Sequence, residues 1–106
     1  MKKYQSDIDY VAGLNLPWEK LRNKTILISG ASGMIGTFLI HVLMQQGLHT
    51  KVIALGRKEA FARERLGEYW ESNCFQFVSH DINIPLHDIE CADFVIHAAS
   101  NTHPVA

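Results

Sequence analysis

One segment reads Thr25-Ile26-Leu27-Ile28-Ser29-Gly30-Ala31-Ser32-Gly33-Met34-Ile35-Gly36: a short apolar run, then glycine at every third position. The run is rich in β-branched side chains, which is typical of a strand buried on both faces of a parallel sheet. Residues 37–46 are apolar enough for a helix that packs on this sheet, and Gly47 suits the end of such a helix. The segment therefore predicts a strand, a glycine-rich turn and a helix, in that order.

Each of the three glycines has a physical role in that turn. Gly30 lets the chain leave the strand sharply, Gly33 lets the backbone approach a phosphate with no Cβ between them, and Gly36 lets the helix lie close to the strand. The free N–H groups and the positive end of the helix dipole then point at an anion such as a pyrophosphate. A turn that binds nothing is the alternative, but glycines placed between a buried strand and an apolar helix favour the phosphate.

Composition restricts the class of protein. The chain has 106 residues, of which 47% are hydrophobic and 20% charged, so we expect one globular domain. A net charge of −1 gives no electrostatic signature of nucleic-acid or membrane-surface binding. No apolar run is long enough to span a bilayer, and the polar residues 1–7 do not begin a signal peptide. Cys74 and Cys91 fit no redox or zinc spacing, which indicates reduced thiols in a cytoplasmic protein.

Residues 1–24 are interpreted as a helical lead-in. Ser6 or Asp7 is expected to cap its first helix. We expect the lead-in to cover one end of the sheet. The alternative is an arm that docks a partner, which only Trp18 and Tyr10 suggest.

A second strand is predicted at Lys51-Val52-Ile53-Ala54-Leu55, followed by Gly56, Arg57 and Lys58. An acidic residue at this distance from a glycine-rich turn would bind the ribose hydroxyls of an adenosine. This chain has no acid there, and the cations of Arg57 and Lys58 suit a 2′-phosphate instead. The pattern favours NADP over NAD. The alternative is two ordinary solvated charges at the start of a helix.

The remaining pattern continues the alternation of helix and strand. A helix is predicted at 58–70, a third strand at 75–79 and a fourth at 92–96. The predicted buried face of the helix carries Ala62, Leu66, Tyr69 and Trp70. Right-handed crossovers then predict an α/β fold, a partial Rossmann-like parallel sheet in the order 3-2-1-4 with helices on both faces.

The Gly-x-x-Gly-x-x-Gly spacing resembles that of the extended short-chain dehydrogenase/reductases, the NAD(P)-dependent sugar-nucleotide epimerases and dehydratases. The resemblance runs from about Lys24 to Val105. It includes the stretch that begins His97-Ala98-Ala99 after the fourth strand, which is similar to the family's H-x-A-A motif.

The resemblance implies a set of site residues. The Asp81 side chain would accept from the adenine amine and the Ile82 backbone would reach the ring, although an aspartate here could also simply cap a turn. The small residues after the fourth strand would let the backbone approach the second phosphate and the nicotinamide ribose. The expected cofactor-binding residues are Gly30, Ser32, Gly33, Met34, Ile35, Gly36, Arg57, Asp81, Ile82, Ala98, Ala99 and Ser100. Thr102 and His103 would face the substrate sugar, whereas His97 is expected to be a buried structural histidine.

A metal site is the competing interpretation of one segment. The metal-ligand types in it are His80, Asp81, His87, Asp88 and Cys91. None of them has the paired spacing that zinc sites normally show, so we predict no metal site.

The family's catalysis depends on Tyr-x-x-x-Lys, in which the lysine lowers the pKa of the tyrosine. Here Tyr4, Tyr10 and Tyr69 are followed four positions later by Ile8, Leu14 and Asn73. We therefore expect residues 25–106 to be the N-terminal part of an NAD(P)-binding domain, truncated before the catalytic and substrate-binding regions and inactive alone. The parent protein would act on a nucleotide sugar. The alternative is a non-catalytic nucleotide-sensing or interaction module on the same fold.

The fourth strand predicts self-association. Phe94 and Ile96 would point to one face and Val95 to the other, along an edge without a central charge. We expect a homodimer through this edge. The alternative is that residues around Trp18 fold over it and keep a monomer.

Overall fold

A computed structural model describes the protein over residues 4–79 and 92–98. These residues form a four-stranded, all-parallel sheet in the order β3-β2-β1-β4, which confirms the predicted order. The strands are β1 (Thr25–Ser29), β2 (Lys51–Gly56), β3 (Phe75–Ser79) and β4 (Phe94–His97). The helices are α1 (Gln5–Ala12), α2 (Met34–Gln45) and α3 (Glu59–Leu66), with 3₁₀ turns at Trp18–Leu21 and Gly67–Tyr69.

The register of the sheet brings three strand ends together. β1 is central, and its last residue, Ser29, lies opposite Leu55 of β2 on one side and His97 of β4 on the other. Because parallel strands end at the same edge, the segments that follow β1, β2 and β4 are neighbours. In open α/β sheets this carboxyl edge is where ligands bind.

The main core lies on the sheet face that α2 and α3 cover. Ile26 and Ile28 of β1 pack there with Ile40 of α2 and Leu66 of α3, and all four are essentially inaccessible to solvent. The predicted buried positions of the helical segment 58–70 are confirmed. Ala62 and Leu66 are fully buried, and Tyr69 and Trp70 pack against the core.

The opposite sheet face carries a smaller cluster. Leu27, Ile53 and Leu55 are buried there, with Val78 and Ala92 packed beside them. No residue of a helix within 4–79 belongs to this cluster. The predicted helices on this second face would therefore have to come from residues outside the described ranges, and they stay a prediction.

The lead-in packs on the domain rather than extending from it. α1 packs along α2, and its Ile8 is fully buried. Trp18 and Leu21 pack against the main core. The predicted cap at Ser6 or Asp7 is wrong. The helix begins earlier, with Tyr4 as N-cap and no side-chain cap bond.

Three other boundaries differ from prediction. α2 begins at Met34 and not after Gly36, because Gly33 is an extended N-cap with ψ of 174°. α3 ends at Leu66, where Gly67, a poor helix former, begins a 3₁₀ turn. β4 begins at Phe94. Within the described ranges, no helix has the length and apolar character needed to cross a membrane.

Candidate functional site

The glycine-rich turn leaves the carboxyl end of β1 through a left-handed residue. Gly30 has φ of +69°, a conformation that suits glycine, which confirms its predicted role in the sharp turn. The next residue is held against the neighbouring strand, because the Ala31 N–H donates to the Leu55 carbonyl at 2.9 Å. The turn therefore has a fixed position over the ends of β1 and β2.

Gly36 and Gly33 differ in how closely the turn backbone surrounds them. A Cβ on Gly36 would lie 2.5 Å from the Gly30 oxygen and 2.8 Å from the Ala31 Cα. The first turn of α2 therefore packs on the turn backbone itself. A Cβ on Gly33 would lie 3.3 Å from the Gly30 oxygen, and Gly33 has φ of −81°. A side chain at Gly33 requires the Gly30 oxygen to move by a few tenths of an ångström, which is less than a side chain at Gly36 requires. We therefore expect the small size of Gly33 to matter mainly to a ligand.

The start of α2 presents unpaired donors. No residue within 4–79 or 92–98 accepts a hydrogen bond from the backbone N–H groups of Ser32, Met34, Ile35 or Gly36. The side chains of Met34 and Ile35 are exposed, so this end of the helix faces solvent. The buried Thr37 hydroxyl donates to the carbonyl oxygens of Gly33 and Met34 and steadies the first turn. Free N–H groups at a helix N-terminus are suited to binding an anion.

Arg65 of α3 contacts the turn, although no sequence pattern predicts this contact. Its Nη1 donates to the Ser32 carbonyl at 2.8 Å, across 33 positions of sequence. The side chain is half-buried. The sequence offers only a basic residue directly before the buried Leu66. That pattern is too common in helices to identify a functional residue.

Buried hydrogen bonds of His41 join α2 to α3, and no sequence pattern predicts them either. His41 is 3% exposed, and its Nε2 lies 2.9 Å from the Arg65 carbonyl. A carbonyl can only accept, so Nε2 carries the proton, and Nδ1 accepts from the Tyr69 hydroxyl at 2.7 Å. Burial lowers the pKa of His41, which keeps the ring neutral, although exposed Glu68 lies 3.5 Å from Nδ1. Burial raises the pKa of Tyr69 to about 12, which keeps it a donor.

Replacing the buried imidazole is expected to destabilise the fold in a pH-dependent way. His41→Leu leaves the Arg65 carbonyl and the Tyr69 hydroxyl without their partner, at a cost of about 1–3 kcal/mol in the free energy of unfolding. The native pKa lies below the ordinary 6.5, so the unfolded chain binds the proton first. Native stability therefore declines as pH falls through 6.5 toward the lowered pKa, and His41→Leu removes that decline.

Urea unfolding at several pH values measures both effects. His49→Asn is the matched control, since His49 is exposed and has a positive φ that asparagine tolerates. We expect this control to keep the native free energy of unfolding at neutral pH. If the free energy of unfolding depends on pH equally in His41→Leu and in the native protein, His41 is not held neutral by the fold.

The end of β2 forms a second wall beside the turn. A Cβ on Gly56 would lie 3.1 Å from Ser32 Oγ and 3.1 Å from the Phe77 ring, so Gly56 lets the turn approach. Arg57 and Lys58 follow directly and are exposed. Among the described residues no partner holds the Arg57 guanidinium, whereas the Lys58 ammonium lies 5.1 Å from the Phe61 ring centroid.

The end of β4 forms the third wall. The Ala98 N–H donates to the Ser29 carbonyl at 3.0 Å, which places Ala98 beside the first residue of the turn. His97 is exposed, so the expectation of a buried histidine is wrong: it lies at the end of the outer strand of the described sheet. Its ring is nevertheless partnered, with Nδ1 3.0 Å from Ser29 Oγ.

The structure thus brings the described members of the expected site to one edge of the sheet, around Ser32. The other expected site residues lie outside the described residues: Asp81, Ile82, Ala99, Ser100, Thr102 and His103. The same holds for the metal-ligand types His80, His87, Asp88 and Cys91. In the part of the chain that is described, no cluster of His, Cys, Asp or Glu could hold a metal ion.

Comparison with known proteins identifies the family of the chain. The model of the NAD dependent epimerase/dehydratase family matches residues 26–106. The chain is also similar to the UDP-N-acetylglucosamine 4,6-dehydratase (inverting) of Campylobacter jejuni subsp. jejuni serotype O:23/36 (strain 81-176), at 33% identity over 90 residues. That match covers 78% of this chain and 26% of the relative, so the chain spans about a quarter of the relative's length. With these matches and the partial Rossmann-like sheet, the resemblance to the extended short-chain dehydrogenase/reductases is confirmed, and the chain belongs to the NAD dependent epimerase/dehydratase family.

Proposed function

We propose that this chain binds NAD(P) at its glycine-rich turn and forms the cofactor-binding portion of a sugar-nucleotide epimerase or dehydratase. The proposal is based on the backbone N–H groups of Ser32, Met34, Ile35 and Gly36, which lie at the junction of three strand ends and have no acceptor among the described residues. Family membership implies a nicotinamide dinucleotide as the cofactor.

The residues present fit that cofactor. The pyrophosphate would lie on the N–H groups of the turn, with Gly33 leaving room where a side chain would otherwise stand. Asp81 and Ile82 would hold the adenine. The segment that begins at Ala98 starts beside Ser29 and would continue past the nicotinamide ribose through Ala99 and Ser100.

The bound nicotinamide would supply a hydride acceptor for a carbon of the sugar. The role of this chain would be to bind and orient the cofactor, since no tyrosine in it is followed by lysine four positions later. We propose that residues 25–106 do not transfer hydride alone. A nucleotide sugar is the proposed substrate of the whole protein, with Thr102 and His103 on its side of the site. We propose a cytoplasmic location.

Cofactor choice is proposed to depend on Arg57, whose exposed guanidinium follows β2 where an acid would bind a ribose. Arg57→Asp replaces a phosphate partner with a like charge and a ribose acceptor. A hydrogen bond to a charged group contributes about 1.5–3 kcal/mol, so NADP affinity should fall about 10- to 100-fold while NAD binding holds or improves.

Calorimetry with NADP and NAD tests both the function and the preference. Lys20→Asp, the same charge reversal on the lead-in, is the control and should leave both affinities at the native value. Binding of neither cofactor by the native chain would refute the proposed function. An unchanged ratio of the two affinities in Arg57→Asp would refute the role of Arg57 alone.

We propose a homodimer through β4. In the described sheet β4 pairs with β1 only, and Phe94 and Val95 are 45% and 55% exposed. Trp18 lines the same apolar groove as these residues without covering them. A second copy suits this edge, because one strand can pair with its own copy about a two-fold axis.

Val95→Lys is expected to give a monomer, since it places a charge at the centre of the exposed edge. Light scattering across a concentration series measures the mass. Tyr10→Lys, which alters an exposed side chain on α1, should keep the dimer. A native chain that stays monomeric at the highest concentration would rule out this interface.

A further inference from the structure

We infer that Arg65 is a positioning residue for the pyrophosphate turn, acting through the Ser32 carbonyl and not through contact with the cofactor. The inference rests on the proposed binding of a dinucleotide. It concerns a residue on α3, outside both the glycine segment and the positions that follow β2.

Arg65 fixes one end of a single peptide group in the turn. The peptide joins Ser32 to Gly33, and its carbonyl accepts from Arg65 Nη1 at 2.8 Å. Its N–H donates to the Gly30 oxygen at 3.1 Å. In a trans peptide the C=O and N–H point in opposite directions, so these two bonds together set its orientation.

The orientation matters because the Ser32 carbonyl has a competing partner. In an α-helix each N–H bonds to the carbonyl four residues earlier, which for Gly36 is the carbonyl of Ser32. That bond would extend α2 toward the turn and occupy the Gly36 N–H. Among the described residues the Gly36 N–H has no acceptor, while the Ser32 carbonyl is held by Arg65. Gly33 is extended, with ψ of 174°, so the bond from the Gly36 N–H to the Ser32 carbonyl can form only if the Ser32–Gly33 peptide rotates relative to α2. By holding the Ser32 carbonyl, Arg65 opposes that rotation and keeps the Gly36 N–H available to an anion.

Arg65 is itself held in place from two sides. Its backbone carbonyl accepts from Nε2 of the buried His41 at 2.9 Å, which ties this point of α3 to α2. Its guanidinium carbon lies 5.7 Å from the Phe61 ring centroid. A guanidinium has a fixed fork of donors that a lysine ammonium does not reproduce, so lysine should substitute poorly.

If Arg65 acts through Ser32, its removal weakens both cofactors. If Arg65 contacted the 2′-phosphate, its removal would weaken NADP alone. Arg65→Ala should weaken NADP and NAD by the same factor, about tenfold, because both cofactors share the pyrophosphate. Hydrogen exchange of the Gly36 amide in the ligand-free chain should become slower, because that amide can then bond to Ser32. General loosening of the fold would make the same exchange faster.

The experiment compares the native chain, Arg65→Ala, Arg65→Lys and Arg63→Gln by calorimetry with both cofactors and by amide exchange. Arg63, on the same helix, pairs with Glu59 at 3.4 Å and lies over Trp70, so Arg63→Gln controls for loss of a cation from α3. Methylguanidinium should restore the cofactor affinity of Arg65→Ala, whereas potassium chloride at the same ionic strength should not. Arg63→Gln should bind both cofactors like the native chain.

Four outcomes would overturn the inference. Native affinities in Arg65→Ala would remove the positioning role while leaving dinucleotide binding intact. A loss confined to NADP would make Arg65 a direct partner of the 2′-phosphate. If the Gly36 amide exchanges faster in Arg65→Ala and methylguanidinium does not restore affinity, Arg65 only stabilises the fold. Binding of neither cofactor by the native chain would refute the proposed function, and the positioning role with it.

Discussion

Gly36→Ala is expected to lower the free energy of unfolding by about 2–3 kcal/mol, although alanine is the better helix former by about 1 kcal/mol. The added Cβ would lie 2.5 Å from the Gly30 oxygen and 2.8 Å from the Ala31 Cα. Both are backbone atoms of the turn, and Ala31 is bonded to Leu55 of β2, so neither can move without disturbing the sheet edge. The clash can be relieved only if α2 shifts away from the turn.

Urea unfolding of the native chain and the variant measures this cost. Gly67→Ala is the matched control, since a Cβ there meets nothing within 4 Å and the residue has helical dihedrals, φ −55° and ψ −30°. It should be neutral or stabilise by about 0.4–1 kcal/mol. Equal stability of Gly36→Ala and the native chain would mean that α2 does not pack on the turn as described.

Gly33→Val is expected to abolish dinucleotide binding while leaving the fold close to native. Gly33 has φ of −81° and ψ of 174°, an extended conformation that valine adopts readily. Its Cβ would lie 3.3 Å from the Gly30 oxygen, a tight contact that a shift of a few tenths of an ångström relieves. The branched side chain would instead fill the space in front of the turn's N–H groups. We expect a loss of at least about 100-fold in affinity, or about 2.7 kcal/mol, for NADP and NAD alike.

Calorimetry gives the affinities, and urea unfolding checks the fold. Gly33→Ala serves as a graded control, because its single methyl group should weaken binding less than valine does. Native affinity in a folded Gly33→Val would show that no phosphate lies on the turn. Loss of the fold in this variant would contradict the structural distinction between Gly33 and Gly36.

The sheet was predictable because its signals are local. Apolar runs at each strand and the turn glycines predicted the order 3-2-1-4 without any knowledge of contacts. Boundaries were harder. Met34 and Ile35 are apolar but exposed in the first turn of α2, so hydrophobic pattern alone could not mark where that helix begins.

The polar supports of the site could not be predicted, because they depend on how α2 and α3 pack. His41 meets Arg65 across 24 positions and Tyr69 across 28, and Arg65 reaches Ser32 across 33. No spacing rule connects residues so far apart. The exposure of His97 was also unpredictable, because it follows from the outer position of β4 in the described sheet and not from its local sequence.

The most direct test of the cofactor proposal is a nuclear magnetic resonance titration of the isotope-labelled chain with NADP. We predict that the backbone amides of Ser32, Met34, Ile35 and Gly36 shift together and saturate with a single affinity. The control amide of Gly67, which lies outside the turn, should not move. Saturating NADP that leaves the turn amides unmoved, or that shifts a different surface, would contradict the assignment of the turn as the pyrophosphate site.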